Sequence, residues 1–267
     1  MTLEDILDLE EVATDVWRGR TPENSGRPDI FGGQVAAQAL RAATHTVDPT
    51  HLANSVHCSF LRRGRPDLPV DAHVERLRAG RTYSSRRVDV YQDGKIIFTM
   101  VASFHLPEPG PEVDLTVPSA VPGPDELASP TGMGLWSPSV EMRMVPTESP
   151  QVRWWGRVAS PFPADPPLHQ CGLLYASDLH AGGAAMAAVG TPIVPPPSGS
   201  GQHTGNFGSL DHCLWFHRVP RVDEWFFCEV RSLQVRDSRG LVHGAMFDEN
   251  GRHLATFSQE MFLKLTD

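Results

Sequence analysis

The segment Leu173-Leu174-Tyr175-Ala176-Ser177-Asp178-Leu179, running into the small residues Ala181 to Ala188, ends an apolar approach in a lone carboxylate. A carboxylate in such a place can take up or deliver a proton, which makes Asp178 a candidate general acid or base. The segment reads as a helix start, where unpaired N–H groups and the helix dipole favour negative charge. A simpler role is open at the same position, with Ser177 or Asp178 capping that helix. Other chemistries leave no trace. The sequence has no G-x-S-x-G elbow, no H-E-x-x-H, no P-loop and no G-x-G-x-x-G. His212 and His217 lie five apart on an expected strand, so they point to opposite faces and not at a shared metal. What is left is chemistry without a metal, a phosphate grip or an elbow serine, and no cofactor is expected.

The elements that must position Asp178 read as two similar halves. Leu3, Ile6, Leu7, Leu9, Val12 and Val16 suggest a helix within residues 3–18, followed by a polar loop to Pro28. Ile30-Phe31-Gly32-Gly33-Gln34 then opens a small-residue helix buried on most sides, its Gly pair allowing close approach and leaving N–H groups free to meet something. Strands are expected near 53–61, 70–77, 84–91 and 95–104, the last two joined by an Asp93-Gly94 hairpin turn. The stretch 106–150 turns Pro-, Gly- and Ser-rich and reads as a linker or long surface connection. After it come a strand at 152–158, the small-residue helix Tyr175–Ala188, and strands at 210–217, 225–233, 241–247 and 252–265, with an Asn250-Gly251 turn before the last. The division is 1–105, a linker over 106–150, and 151–267, an α+β protein made of two helix-plus-antiparallel-sheet units.

Matching landmarks support duplication. His57-Cys58 answers His212-Cys213 (212 − 57 = 155), and the hairpin glycines give 251 − 94 = 157. Phe31-Gly32-Gly33-Gln34 answers Tyr175-Ala176-Ser177-Asp178 (178 − 34 = 144), the shorter offset being made up by a Pro/Gly/Ser-rich insertion at Thr191–Gly205. The copies differ in polar residues. At the places of Asp178, Ser209 and Gln259 the first half has Gln34, Asn54 and Ala102. Gln259 lies in the row Ala255, Phe257, Gln259, Met261, and an amide buried there without a partner costs ~1–3 kcal/mol, so it should have one. A backbone partner at a bulge, with Ser209 a plain strand-start residue, is the alternative.

The chain has 267 residues and a net charge of −9, which argues against nucleic acid as its partner without excluding an anionic small ligand held by local arginines. No apolar run approaches the ~20 residues of a membrane-spanning helix. The start Met1-Thr2-Leu3-Glu4-Asp5 lacks a signal-peptide core, the end Lys264-Leu265-Thr266-Asp267 is no peroxisomal address, and the four cysteines read as free thiols; a cytoplasmic protein is expected.

Four runs, Asp29-Ile30-Phe31-Gly32-Gly33-Gln34-Val35, Ser84-Ser85-Arg86-Arg87-Val88, Tyr175-Ala176-Ser177-Asp178-Leu179 and Leu210-Asp211-His212-Cys213-Leu214-Trp215-Phe216-His217, resemble the type II (TesB-like) acyl-CoA thioesterases. The resemblance runs through nearly the whole chain in order and is weakest over 106–150. It implies a tandem (double) hotdog fold, each sheet wrapped around a central helix, hydrolysis of acyl-CoA to free acid and CoA, and a homodimer or homotetramer. It also implies a catalytic trio of Asp, Thr or Ser, and Gln that activates a water, falling on Asp178, Ser209 and Gln259 with serine as the hydroxyl. On this reading the Gly32-Gly33 helix start is the candidate to meet the thioester oxygen. Arg86 and Arg87 are candidates for CoA phosphates, although strand neighbours face opposite ways and a solvated outer face is the other option. Thr191–Gly205 departs from the family pattern and leaves chain-length preference open. Two rival readings are a hotdog enoyl-CoA hydratase, whose G-D-x-N-P-x-H is absent because Gly183 stands at the His place, and a non-catalytic acyl-CoA-binding protein.

Overall fold

The structure, a computed structural model, describes residues 1–21, 29–128, 139–147, 150–190 and 205–265. In the first half a short helix α1 (Leu3–Leu7) and a hairpin of β1 (Glu10–Ala13) and β2 (Val16–Gly19) precede helix α2 (Gly32–Thr44) and strands β3 (Leu52–Phe60), β4 (Val70–Ala79), β5 (Tyr83–Gln92) and β6 (Lys95–His105). The second half has β7 (Val140–Val145), β8 (Gln151–Val158), helices α3 (Pro166–Ser177) and α4 (Ala181–Ala188), then β9 (Gly205–Ser209), β10 (Asp211–Phe216), β11 (Phe226–Arg236), β12 (Arg239–Asp248) and β13 (His253–Leu265).

The strands form one antiparallel sheet in the order β1-β2-β4-β5-β6-β3-β10-β13-β12-β11-β8-β7, with β9 paired to β13. Read from either end the order is the same, each half contributing hairpin, three-strand meander and central strand. α2 packs on β2 to β6 and against α3, while α4 packs on β8 and β11 to β13, so the core lies between the helices and the inner face of the sheet. This is the tandem hotdog arrangement that the resemblance implies. Both hairpin turns use the left-handed region, at Asp93 (φ 49°), Gly94 (φ 69°) and Gly251 (φ 76°).

The central strands β3 and β10 pair directly, Cys58 with His212 and Val56 with Leu214, and these four residues are buried. His57 pairs with Cys213 and is exposed, so the two matched His-Cys dipeptides present their histidines to opposite faces. The inward counterpart of His212 is Val56 (212 − 56 = 156), which stands opposite Ala102 as His212 stands beside Gln259. The letters repeat one residue out of step with the fold.

Two other expectations are corrected. The apolar spacing of residues 3–18 yields a helix only to Leu7, closed at Asp8 in extended conformation, and the chain then turns back through Asp15 (φ 58°) as a hairpin. The stretch 106–150 contains β7, which pairs along β8 as the sheet edge of the second half. The connection before it is tied down as well: Trp155 Nε1 donates to the Pro122 carbonyl at 3.0 Å, and Val121 and Leu127 cover Trp225, Phe227 and Phe247. The Thr191–Gly205 insertion lies outside the described residues except for the backbone of Gly205, the first residue of β9.

Candidate active site

Asp178 stands at the end of a helix and not at a start. α3 has proline in its first turn, runs to Ser177 and is closed by Asp178 as its C-cap (φ −85°, ψ −10°). His180, at φ 56°, then turns the chain into α4. A helix C-terminus disfavours a carboxylate, because the last carbonyls carry the negative end of the dipole. The compensation comes from the other half. The Gly33 N–H, in the first turn of α2, donates to Asp178 Oδ2 at 2.7 Å. Glycine is required there for space: a Cβ on Gly33 would lie 2.5 Å from the Tyr175 carbonyl oxygen, and one on Gly32 would lie 2.9 Å from Asp178 Oδ2. The rings of Phe31 and Tyr175 meet edge to face at 5.0 Å beside this crossing. The two glycine- and alanine-rich segments that match in sequence therefore touch in space.

Ser209 ends β9, where the chain slips by one residue against β13. Met261 pairs with Ser209, and beyond the slip Ser258 pairs with Cys213. The backbone groups at the slip are satisfied by Leu210 N–H to the Glu260 carbonyl (2.8 Å) and Glu260 N–H to Asp211 Oδ1 (2.7 Å). An irregularity is thus present, but Asp211 fills it, and the Gln259 side chain is free for another task.

Gln259 is 1% exposed in the inward row Ala255, Phe257, Gln259, Met261. Its Nε2 donates to Asp178 Oδ1 at 2.9 Å and to Ser209 Oγ at 2.7 Å, while Ser209 Oγ is 3.4 Å from the same carboxylate oxygen. Its Oε1 lies 2.8 Å from His212 Nδ1, and His212 Nε2 lies 2.9 Å from Ser177 Oγ. Three side chains from the end of α3, from β9 and from β13 converge on one point. A carboxylate beside a hydroxyl whose hydrogen has only a long partner can hold a small hydroxylic molecule and take its proton.

Asp178, Ser209 and Gln259 are brought together as their asymmetry between the halves suggests, and the buried partner expected for Gln259 exists. That partner, His212, was not foreseen. Its only sequence signal is an inward place on an apolar-alternating strand next to another buried polar side chain. Burial holds the His212 imidazole below its ordinary pKa, against the opposing pull of Asp178. Burial likewise pushes the neighbouring Cys58 thiol well up, which keeps it protonated and removes it as a nucleophile.

The expected binding groups fare less well. The Gly33 N–H is engaged by Asp178, so of the glycine pair only Gly32 is left as a donor for a thioester oxygen. Arg86 is 2% exposed and donates to Thr46 Oγ1, the Thr46 carbonyl, and the carbonyls of Arg78 and Ser85, which fixes the chain just past the C-terminus of α2. The site lies at the N-terminus of that 13-residue helix, about 20 Å away at 1.5 Å per residue. Buried and engaged with these partners, Arg86 holds the chain around Thr46, which weighs against its expected place among phosphate ligands. Arg87 faces outward as the strand alternation requires and is paired with Asp89 at 2.9 Å, on the same distant strand.

Known proteins resemble this chain in sequence and in overall fold. A family described as the acyl-CoA thioesterase N-terminal domain matches residues 21–105, and one described as the acyl-CoA thioesterase C-terminal domain matches 107–263. Acyl-coenzyme A thioesterase 8 of Mus musculus is 33% identical over 97% of this chain and 88% of its own length. Acyl-CoA thioesterase 2 of Haemophilus influenzae is 28% identical over 98% and 96%. The crystal structure of the acyl-CoA thioesterase II TesB2 from Mycobacterium marinum superposes with a TM-score of 0.83 at 33% identity, covering 100% of this chain and 99% of that one. With both domain families matched end to end on a tandem hotdog, the chain belongs to the acyl-CoA thioesterases.

Proposed function

We propose that the chain hydrolyses acyl-CoA thioesters by direct attack of a water deprotonated by Asp178 and oriented by Ser209. Gln259 holds the two in place. The water oxygen adds to the thioester carbonyl as its proton passes to Asp178. The Gly32 N–H at the start of α2 faces the oxygen on which charge develops. Collapse of the adduct breaks the C–S bond, and the proton leaves Asp178 for the sulfur or solvent, giving free acid and CoA. No covalent acyl-enzyme is involved. The observation that carries this reading is the Gln259 amide, which donates to a carboxylate at 2.9 Å and a hydroxyl at 2.7 Å from two other elements. The test is release of thiol and acid across acyl-CoAs from short to long chains. Equimolar release is expected; tight binding with no thiol released would leave only a binding protein.

The same proposal includes assembly and location. A homodimer or homotetramer is supported by the large apolar side chains on the outer centre of the sheet, where Trp215 and Val101 are 38% and 43% exposed beside His57. Sedimentation at micromolar concentration should show more than a monomer, and a monomer throughout would contradict it. A cytoplasmic place of action is supported by the four cysteines, all free thiols. Among the described residues no helix is long and apolar enough to cross a membrane.

A further inference from the structure

We propose that His212 is a positioning residue for this reaction: its Nδ1–H holds the Gln259 amide in the one orientation that serves Asp178 and Ser209. The inference rests on the hydrolytic reading above.

Proton accounting fixes the direction of the bonds around the Gln259 amide. Asp178 Oδ1 and Ser209 Oγ both receive the Gln259 Nε2, so the amide oxygen faces His212. An amide oxygen only accepts, hence Nδ1 carries the hydrogen. A neutral ring has one, so Nε2 is an acceptor; it lies 2.9 Å from the Ser177 hydroxyl, whose single hydrogen is shared with the Leu174 carbonyl at 2.8 Å. Donation then runs from His212 to Gln259 and from Gln259 to Asp178 and Ser209, with the Ser177 hydroxyl packed against the far nitrogen of the ring. Because Ser177 precedes Asp178 in the chain, the network closes on itself and ties the end of α3 to β10 and β13.

Removing the Nδ1–H would leave the Gln259 oxygen buried without a donor, and a side chain in that position swings toward any donor it can reach. The swing would take its N–H groups away from Asp178 and Ser209. The first half points the same way. There the two positions are Val56 and Ala102, opposite each other and both apolar. The polar pair occurs as a pair, in the half that holds the acid.

The test uses His212→Val and Gln259→Ala, singly and together, with His212→Asn as the conservative variant whose amide N–H can take the place of Nδ1–H. The singles reproduce residues the fold already accommodates in the first half. His212→Val should lower kcat by ~10–100-fold while KM for an acyl-CoA changes little, the scale of loss when a reacting group is misplaced by about an ångström. In the Gln259→Ala background the same change should add nothing further. His212→Asn should keep kcat within about fivefold of the parent. By melting temperature each single substitution of the pair should destabilise and the double should recover in part, since an apolar pair orphans neither the Gln259 oxygen nor the His212 Nδ1–H. A loss that persists in the Gln259→Ala background, or His212→Asn as slow as Gln259→Ala, would overturn the positioning role. Gln259→Ala at the parent rate would instead remove Gln259 from the trio, and this inference with it, whereas a parent that releases no thiol would overturn the hydrolytic reading.

Discussion

The chemistry at the candidate site depends on side chains whose identities are set by the partners that surround them. Gln259 sits in an apolar row and is tolerated there because Asp178, Ser209 and His212 satisfy its amide on both ends. This explains why the trio could be read from the sequence and the fourth member could not. A duplicated scaffold makes Asp178, Ser209 and Gln259 stand out against the first half, whereas a single inward histidine on an apolar strand looks like any core histidine until its neighbours are known. Arg86 shows the opposite failure. Strand alternation separates it from Arg87, but nothing local tells which end of α2 its strand crosses. The burial of Arg86 sets an expectation: Arg86→Met orphans the Thr46, Arg78 and Ser85 carbonyls and should cost about 1–3 kcal/mol by denaturant midpoint. Its KM for acyl-CoA should stay unchanged; a large rise in KM would return Arg86 to the binding site.

At the level of elements, the decisive feature is the crossing of α2 over the end of α3. The Phe31 to Gln34 and Tyr175 to Asp178 segments were matched in the sequence because small residues mark both, but the structure makes them neighbours and not equivalents, the first opening α2 and the second ending α3. The direction was misread, because the left-handed residue that ends α3 is His180, and no glycine or asparagine announces the break. The acid thereby lies at the unfavourable end of its own helix and at the favourable end of α2. Gly33 is where that contact is tightest. Gly33→Ala would push a methyl to 2.5 Å from the backbone oxygen of Tyr175, which cannot rotate away. The expected cost is about 1–3 kcal/mol, read as a fall in melting temperature, together with reduced turnover because Asp178 moves with α3. An alanine variant with parent stability and rate would show that the helices have slack at this point.

On the scale of the whole molecule, two copies of one unit share a continuous sheet, and only the second keeps acid, hydroxyl and amide together. The repeat and its hairpin turns were readable in the sequence because Gly94 and Gly251 mark fixed points. The edge hairpin at residues 10–19 and strand β7 were not, because short edge strands carry too little alternation to be told from a helix end or a linker. Several histidines of the folded molecule are held in the neutral form. Burial lowers His212 and His169, and it brings His180 to about 4 from the ordinary 6.5. Below about pH 6.5 the unfolded chain therefore binds protons that the folded chain refuses, so stability falls as pH falls. Thermal melts should give a lower midpoint at about pH 5 than at about pH 7, and an equal or higher midpoint would show that these rings titrate freely. The account as a whole stands on the carboxylate at the crossing of the two halves, and Asp178→Asn tests it most directly. The asparagine can still accept from Gly33, so the fold should persist, while no group remains to take the proton of water. Steady-state thiol release from acyl-CoA should show kcat reduced by ~10²–10⁴-fold with KM little changed, and turnover at the parent rate by the folded variant would contradict the account.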